Sequence, residues 1–318
     1  MTTEEFFKAL AHKLELTQEE SDRISKKHNW LREKLREKLP IEDDFLTGSY
    51  ARNTMIRPKD EEKFDVDFFL AFNKHDYGES ELADLLKIVK TALEEIKSDD
   101  SDIEKIDDKQ RRSIGVIYKD NFQIDVVPAI QIEKDKLYKI FDKRTQTAVK
   151  SNPKLHSKNL IDANEAIISG SIKRLVPIVK ILKSWKRVKC NYIKSFHLEL
   201  LVMETLKDTE ITSFSAGIAK FFNNVNLQSQ LTDPANSENI IDTYLDEDGT
   251  RNNLLSLIAS EREIANKAME LEENGDDDGA VAEWKKIFEE HDGDKGDSYN
   301  FQPSGPMIIR NPAKQWAQ

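Results

Sequence analysis

Asp65 and Asp67 are the residues whose type and spacing most directly suggest chemistry, because they lie two positions apart inside the apolar run FDVDFFL at residues 64–70. Side chains alternate between the two faces of a β-strand, so both carboxylates are predicted to share one face while their apolar neighbours point into a core. Adjacent carboxylates raise each other's pKa unless a cation neutralises them. The pair therefore predicts a site for a hard divalent ion such as Mg²⁺.

Gly48 and Ser49 end the apolar segment that precedes this strand, sixteen residues before Asp65. At a break between a strand and a helix, such a pair exposes backbone N–H groups and a hydroxyl that can bind a phosphate. A phosphate site together with metal-binding carboxylates is the minimal equipment for phosphoryl or nucleotidyl transfer.

A third acid, Asp125, stands alone in the apolar segment NFQIDVVP at residues 121–128. The Gly-Ser pair, the Asp-x-Asp pair and this later acid together resemble the polymerase-β-like nucleotidyltransferases. The resemblance implies that Asp65, Asp67 and Asp125 are catalytic and hold two Mg²⁺ ions, with Mn²⁺ as the alternative ion. It also implies that Gly48 and Ser49 position the phosphates of a nucleotide. The competing interpretation is that the three aspartates are surface carboxylates on edge strands.

The spacing of apolar residues predicts the elements that would position these side chains. A helical pattern covers residues 2–39, with a break at the capping box formed by Thr17 and Glu20. Further along, the pattern predicts a helix over 79–97, an acidic loop over 98–108, a strand pair over 113–118 and 122–128, and a hairpin within 131–147. With the resemblance, this predicts an α+β fold in which a polymerase-β-like lobe with a mixed sheet precedes a helical C-terminal lobe.

The helical half contains a basic segment, residues 172–194, with eight Lys or Arg residues and no acid, although the whole chain has a net charge of −11. Such a stripe suggests a surface that faces phosphates, and a solvated helix face is the alternative. The stretches 175–185 and 194–201 resemble the helical lobe of oligoadenylate synthases, cyclic GMP–AMP synthase and the bacterial CD-NTases. The resemblance implies that Lys180 and Ser195 hold the donor triphosphate and that Phe196 stacks on a base. A core aromatic is the alternative for Phe196, and His197 is expected to be a structural hydrogen-bonding residue.

Three segments are predicted along the chain. Residues 1–158 would form the catalytic lobe with an N-terminal spine helix, residues 159–300 the helical lobe, and residues 301–318 an extended tail. The active site would lie in the cleft between the lobes. The tail contains two apolar clusters, and it is expected either to pack on the helical lobe or to dock a regulatory partner, which the resemblance suggests is HORMA-type or ubiquitin-transfer-like.

Composition limits the cellular setting. Charged residues make up 34% of the chain, and the single cysteine, Cys190, excludes an internal disulfide. No run approaches the roughly 18 apolar residues that a membrane helix requires, and the N-terminus lacks the pattern of a signal peptide. We therefore expect a cytoplasmic protein that does not associate with membranes. The acidic balance does not indicate a nucleic-acid activator.

The function expected from the sequence is that of a CD-NTase in antiphage (CBASS) signalling. Such an enzyme would use nucleoside triphosphates, with ATP the expected one, to make a cyclic di- or trinucleotide that contains adenine. An enzyme that makes linear oligonucleotides, or that modifies RNA or protein, is one alternative. A catalytically silent nucleotide-binding scaffold is another, although a cluster of buried carboxylates is costly without a metal ion.

Overall fold

The structure, a computed structural model, describes residues 1–59, 62–77, 81–165, 174–190 and 192–289. Its helices are α1 (Thr3–Lys13), α2 (Gln18–Lys38), α3 (Gly48–Ala51), α4 (Leu82–Asp99), α5 (Pro153–Glu165), α6 (Leu175–Lys189), α7 (Ser195–Thr205), α8 (Phe214–Asn224), α9 (Thr250–Glu273) and α10 (Asp277–Phe288). Its strands are β1 (Asp43–Thr47), β2 (Phe64–Asn73), β3 (Ile103–Asp107), β4 (Ile114–Tyr118), β5 (Phe122–Glu133), β6 (Leu137–Asp142), β7 (Thr147–Ser151), β8 (Thr232–Asp233) and β9 (Asn236–Ile240). Contacts divide the described chain into a sheet unit, residues 16–159 and 234–236, and a helical unit, residues 1–15, 160–233 and 237–289.

Capping boxes set the start of the two N-terminal helices. The side chain of Thr2 accepts the Glu5 N–H at the start of α1, and the side chain of Thr17 accepts the Glu20 N–H at the start of α2. In both boxes the glutamate carboxylate in turn accepts the backbone N–H of the capping threonine. The break predicted at Thr17 is thereby confirmed.

The sheet unit contains a seven-stranded mixed sheet. Its strand order is β1-β2-β5-β4-β3, and β6 and β7 continue it from the end of β5. Strands β2 and β5 run parallel and the other pairs run antiparallel. The acidic loop expected over 98–108 was wrong, because Ile103 and Ile106 are buried in the core and the segment between them forms β3. The predicted α+β class is confirmed.

One face of this sheet packs against α2 and α4. A single buried cluster joins residues of both helices to alternate residues of β2 and β5: Leu31, Leu35, Leu85, Val89, Val66, Phe68, Ile124 and Val126. Burying each large apolar side chain contributes about 1.5–3 kcal/mol. This burial fixes which face of β2 points inward, so Asp65 and Asp67 must lie on the other face.

The helical unit includes α1, although sequence analysis grouped residues 1–15 with the catalytic lobe. Phe7 is fully buried, and its ring centroid lies 5.2 Å from that of Trp284 and 5.6 Å from that of Phe288. These aromatic contacts tie α1 to α10. The boundary expected at residue 158 stays a prediction, and the tail over 301–318 lies outside the described residues. Across the described part of the chain, no helix is both long enough and apolar enough to cross a membrane.

Candidate active site

The register of the sheet brings the three predicted aspartates together. Asp67 on β2 pairs directly with Asp125 on β5, and Asp65 pairs with Gln123. Because side chains two apart on a strand share a face, the four side chains form a two-by-two array on the face opposite the helices. Asp67 and Asp125 are only 7% and 3% exposed, and Asp65 is half-buried. Edge-strand surface carboxylates, the competing interpretation, do not fit this burial.

Burial and a neighbouring carboxylate dominate the electrostatics of Asp125. Desolvation, followed by the charge of Asp67, raises its pKa to about 6. Opposing these effects, the side-chain amides of Gln123 and Gln110 lower the pKa of Asp125 by favouring its ionised form. The Gln123 Nε2 donates to Asp125 Oδ1 at 2.8 Å. A carboxyl in this environment is poised to exchange a proton near neutral pH.

The donor set matches a hard divalent cation in its chemistry. Three carboxylates lie close together, and their negative charges repel one another unless a cation neutralises them. Carboxylate oxygen is a ligand that Mg²⁺ prefers. Among the described residues, no group of three or more His, Cys, Asp or Glu side chains forms a ready-made cage for a metal ion. Mg²⁺ is usually held by one or two carboxylates together with substrate phosphates rather than by an all-protein cage. The aspartates therefore fit an ion that binds together with a nucleotide.

Gly48 and Ser49 follow the last residue of β1, and this position brings them next to the aspartates. Thr47 pairs with Asp67 across the β1–β2 ladder, so the turn into α3 begins beside the carboxylates. Gly48 has a φ of 94°, a conformation that disfavours a side chain, which explains the glycine here. The Ser49 carbonyl accepts the N–H groups of Thr54 and Met55 at 2.8 and 2.9 Å, which holds the turn in place.

In the helical unit, Lys180 lies on α6 and is almost completely buried, with 2% of its surface exposed. Its Nζ lies 2.6 Å from Glu15 Oε2, just beyond the end of α1. Glu15 is the more exposed partner of this ion pair. Binding of a triphosphate by Lys180 would therefore compete with Glu15, and that role stays a prediction.

Ser195 and Phe196 are the first two residues of α7. Ser195 is half-buried, whereas Phe196 is 4% exposed, so its ring is part of the core in this structure. Stacking on a base would require that ring to become exposed, and stacking stays a prediction.

The start of α7 is held by Tyr244. The Tyr244 hydroxyl accepts the Lys194 N–H at 2.9 Å and lies 2.8 Å from His197 Nδ1. Burial lowers the pKa of His197 to about 4, so its imidazole is neutral at physiological pH. His197 is thus the structural hydrogen-bonding residue that the sequence predicted.

Sequence reasoning missed Gln123, Glu15 and Tyr244. A signal existed for Gln123, because it precedes Asp125 by two positions and the strand period places both on one face. For Glu15 no local signal existed, since its partner Lys180 is 165 positions away. Tyr244 lies in a short 3₁₀ turn after β9, 47 positions from His197.

The N-terminal half of the chain matches a known protein family. The profile of the Second Messenger Oligonucleotide or Dinucleotide Synthetase domain (SMODS) matches residues 1–164. This range contains the Gly-Ser turn and all three aspartates.

Similar proteins extend the likeness to most of the chain. The cyclic AMP-AMP-AMP synthase of Acinetobacter sp. (strain ATCC 27244 / 9458) is 27% identical, over 91% of this chain and 84% of the relative. Among solved structures, the E. coli MS115-1 CdnC in its complex with HORMA-deltaN has a TM-score of 0.71 at 17% identity, covering 90% of this chain and 97% of that one. The Vibrio cholerae di-nucleotide cyclase DncV, in complex with ATP and GTP, has a TM-score of 0.69 at 12% identity, covering 88% and 93%. These structural likenesses concern the fold.

Proposed function

This chain belongs to the SMODS family of second messenger oligonucleotide or dinucleotide synthetases, and we propose that it makes a cyclic di- or trinucleotide containing adenine from ATP. Membership confirms the CD-NTase resemblance and the expected class of enzyme, a nucleotidyltransferase. Adenine as the base is supported by the 27% identical relative, which is a cyclic AMP-AMP-AMP synthase. The family also supports a role in antiphage signalling.

The observation that carries this proposal is the direct pairing of Asp67 with Asp125 across the parallel β2–β5 ladder. With Asp65 two positions earlier on β2, it concentrates three carboxylates on one face of a sheet whose other face is packed against helices. Such a concentration of like charge is unfavourable unless a cation shares the site. The arrangement supports catalysis far better than it supports a silent scaffold.

In the proposed mechanism the three aspartates would hold divalent ions, and enzymes of this family use such ions for catalysis. A bound Mg²⁺ neutralises phosphate charge and orients the reacting groups. We assign Mg²⁺ to this chain, with Mn²⁺ as the alternative. Asp65 and Asp67 supply carboxylate oxygens from one strand, and Asp125 supplies them from its parallel neighbour.

Asp125 would also take up the proton of the attacking sugar hydroxyl, since its carboxylate lies on the strand next to the Asp65 and Asp67 pair and can accept a proton there. The hydroxyl oxygen forms a bond to the α-phosphorus while the bond to the leaving pyrophosphate breaks. Gly48 and Ser49 would bind the β- and γ-phosphates through the turn that follows β1. A second round of the same transfer within the linear product closes the ring.

Lys180, Ser195 and Phe196 complete the proposal. Lys180 would exchange its partner Glu15 for a phosphate of the donor, and Ser195 would donate its hydroxyl to the same triphosphate. Phe196 would stack on a base after becoming exposed. Support for these roles comes from the sequence resemblance to the helical lobe of CD-NTases.

A protein partner of HORMA type is proposed for residues 301–318. The support is that the similar E. coli CdnC was solved with a HORMA protein and that this segment carries two apolar clusters. Deleting residues 303–318 should abolish co-purification with such a partner and leave the melting temperature unchanged. A fall in the melting temperature of the isolated enzyme would instead indicate packing of the tail on the protein.

The decisive experiment is to incubate the purified protein with Mg²⁺ and all four nucleoside triphosphates and to identify the product by mass spectrometry after phosphatase treatment. The proposal predicts a phosphatase-resistant cyclic product built from AMP. A linear product would favour the oligoadenylate-synthase-like alternative, and a nucleotide attached to the protein, or to RNA added in a parallel reaction, would favour a modifying enzyme. The absence of any transfer would favour the scaffold.

A further inference from the structure

Asp125 does not stand alone on its strand, because the side chain two positions earlier is bonded to it. The Gln123 amide donates from Nε2 to Asp125 Oδ1 at 2.8 Å. In the parallel ladder Gln123 pairs with Asp65, just as Asp125 pairs with Asp67. Gln123 therefore occupies the one corner of the two-by-two array that is not an acid.

A second amide reaches the same carboxyl from the loop before β4. The Gln110 side chain favours the ionised form of Asp125, and its Oε1 accepts the Ser113 hydroxyl, so its amide NH₂ is the group available to donate to Asp125. Two amides thus act on one carboxyl, from its own strand and from a neighbouring loop.

The loop that carries Gln110 is firmly attached. Its neighbours Arg111 and Arg112 donate to the two oxygens of Asp142, at 2.7 and 2.9 Å, and Asp142 is fully buried. The Arg111 carbonyl also accepts the Lys143 N–H at 2.9 Å. These bonds to the β6–β7 turn fix the position from which Gln110 acts.

Gly115 on β4 completes the surroundings of the carboxyl. It pairs with Asp125 across the β4–β5 ladder. A Cβ at this position would lie 3.4 Å from both Asp125 Oδ1 and Gln123 Nε2. This distance is an ordinary van der Waals contact, so position 115 lies directly against the hydrogen-bonded pair.

We propose that Gln123 is a positioning residue for the nucleotidyl transfer, fixing the carboxylate of Asp125 in the rotamer that faces Asp65 and Asp67, with Gln110 as its second support. The inference rests on the proposed function of these aspartates. The physical reason is that a buried carboxylate between two other acids is driven away from them by charge repulsion, and hydrogen bonds that favour the ionised form oppose this. Partners that orient metal-binding side chains commonly matter about 10- to 100-fold for metal affinity or activity.

The test compares Gln123→Met with Gln131→Met. Methionine keeps the length and apolar bulk of glutamine but has no N–H, so it removes the donor while keeping the packing. Gln131 is a matched control because it also lies half-buried on β5 and donates its amide to the Tyr138 hydroxyl, 3.4 Å away, far from the acids along the strand. Gln110→Met is a second variant that leaves β5 unchanged.

Two quantities are measured on the full chain. The first is turnover of ATP, analysed as kcat and KM at saturating Mg²⁺. The second is Mn²⁺ binding in the presence of an α,β-methylene ATP analogue, followed by the electron paramagnetic resonance signal of free Mn²⁺. We expect Gln123→Met to lower kcat and Mn²⁺ affinity by about 10- to 100-fold, with KM for ATP within about twofold of the wild type. Gln110→Met should show a smaller effect in the same direction, and Gln131→Met none.

The inference is overturned if Gln123→Met retains wild-type Mn²⁺ affinity, or if Gln131→Met shows the same loss. It is equally overturned if the loss in Gln123→Met is matched by a fall in melting temperature, since that outcome indicates packing. Failure of the proposed function would look different, because the wild type itself would then form no nucleotide product. The Mn²⁺ titration would still decide whether Gln123 positions Asp125.

Discussion

The sheet unit and the helical unit hold their predicted functional residues in different ways. On the sheet, Asp65, Asp67 and Asp125 converge, because one strand pairing brings them to a common face. In the helical unit, Lys180 is bonded to Glu15 and Phe196 is buried. The first set shares one face of the sheet, whereas the second is engaged in contacts within its own unit.

A cluster of like charges and a pair of opposite charges give different information about whether a residue binds a ligand. Three acids brought together on one face raise one another's pKa, and a bound cation relieves this repulsion. A lysine with a glutamate partner is already compensated, and its location alone does not distinguish a ligand-binding role from a structural one. Arg174 and Lys183, which belong to the same basic segment, likewise pair with acids, namely Glu4 and Glu199.

The double substitution of Asp65→Asn and Asp67→Asn is expected to have the largest effect on activity. It tests whether the acids of the sheet unit are catalytic. Removing these charges should lower product formation by at least about 10²–10³-fold, as expected when transition-state charge stabilisation is lost. It should leave the melting temperature without metal equal to or above that of the wild type, since repulsion with Asp125 is relieved. Product assays and thermal unfolding measure the two effects.

The control for this variant is Asp84→Asn, which removes an exposed acid from α4 in the same unit. It should alter neither activity nor melting temperature. Product formation by the double variant at a rate close to that of the wild type would mean that the acids on the sheet are not the catalytic centre.

The second test uses two lysines one turn apart on α6. If Lys180 binds the donor triphosphate, Lys180→Met should raise KM for ATP by about 10-fold or more, the loss of a charge-assisted contact worth about 1.5–3 kcal/mol. Glu15→Gln should lower KM, because it removes the competing carboxylate. Steady-state kinetics of both variants gives the answer.

Lys183→Met is the matched comparison. Lys183 and Glu199 form a buried ion pair at 2.5 Å, and removing one partner of such a pair should cost about 3–5 kcal/mol of unfolding free energy with little change in KM. If Lys180→Met instead lowers stability and leaves KM unchanged, Lys180 is a structural residue like Lys183. The two units would then differ in function and not only in their present contacts.

The sequence predicted the site residues of the sheet unit better than the contacts of the helical unit. The strand period placed Asp65 and Asp67 on one face, and the burial of Phe64, Val66 and Phe68 in the core confirms it. The direct pairing of Asp67 with Asp125 needed the register, which no local pattern encodes. Resemblance to known nucleotidyltransferases supplied what periodicity could not.

The helical region was less predictable because helix patterns show which face is apolar but not what packs on it. The eight basic residues of the segment 172–194 suggested a phosphate-facing surface. The structure shows that both Lys180 and Lys183 are buried. Lys180 pairs with Glu15 beyond the end of α1, and Lys183 pairs with Glu199 on α7. Both partners lie outside α6, so only the tertiary fold reveals them.

The smallest expected effect concerns the buried acid Glu261 on α9, whose pKa is set mainly by desolvation. Desolvation raises its pKa to about 7, the Trp185 indole donates to its Oε1 at 3.4 Å, and Lys189 opposes the shift by its charge. From the ordinary value of 4.5 to about 7, the unfolded chain loses this proton while the folded chain keeps it. The contribution of Glu261 to the free energy of unfolding must therefore fall as the pH rises from 4.5 to about 7, and it levels off at higher pH.

Glu261→Gln removes the titration and keeps an acceptor for Trp185. The variant should unfold with nearly the same free energy as the wild type near pH 4.5 and be at most about 3 kcal/mol more stable near pH 8, the limit that a shift from 4.5 to about 7 sets at 1.36 kcal/mol per pKa unit. Urea unfolding at both pH values, with Glu263→Gln on the same helix as the control, measures the difference. A stability gap that is independent of pH would show that Glu261 is neutral or compensated throughout, like the paired acids of the helical unit. A gap that opens with pH would make Glu261 an isolated acid in the helical unit, comparable in its electrostatics to Asp125 on the sheet.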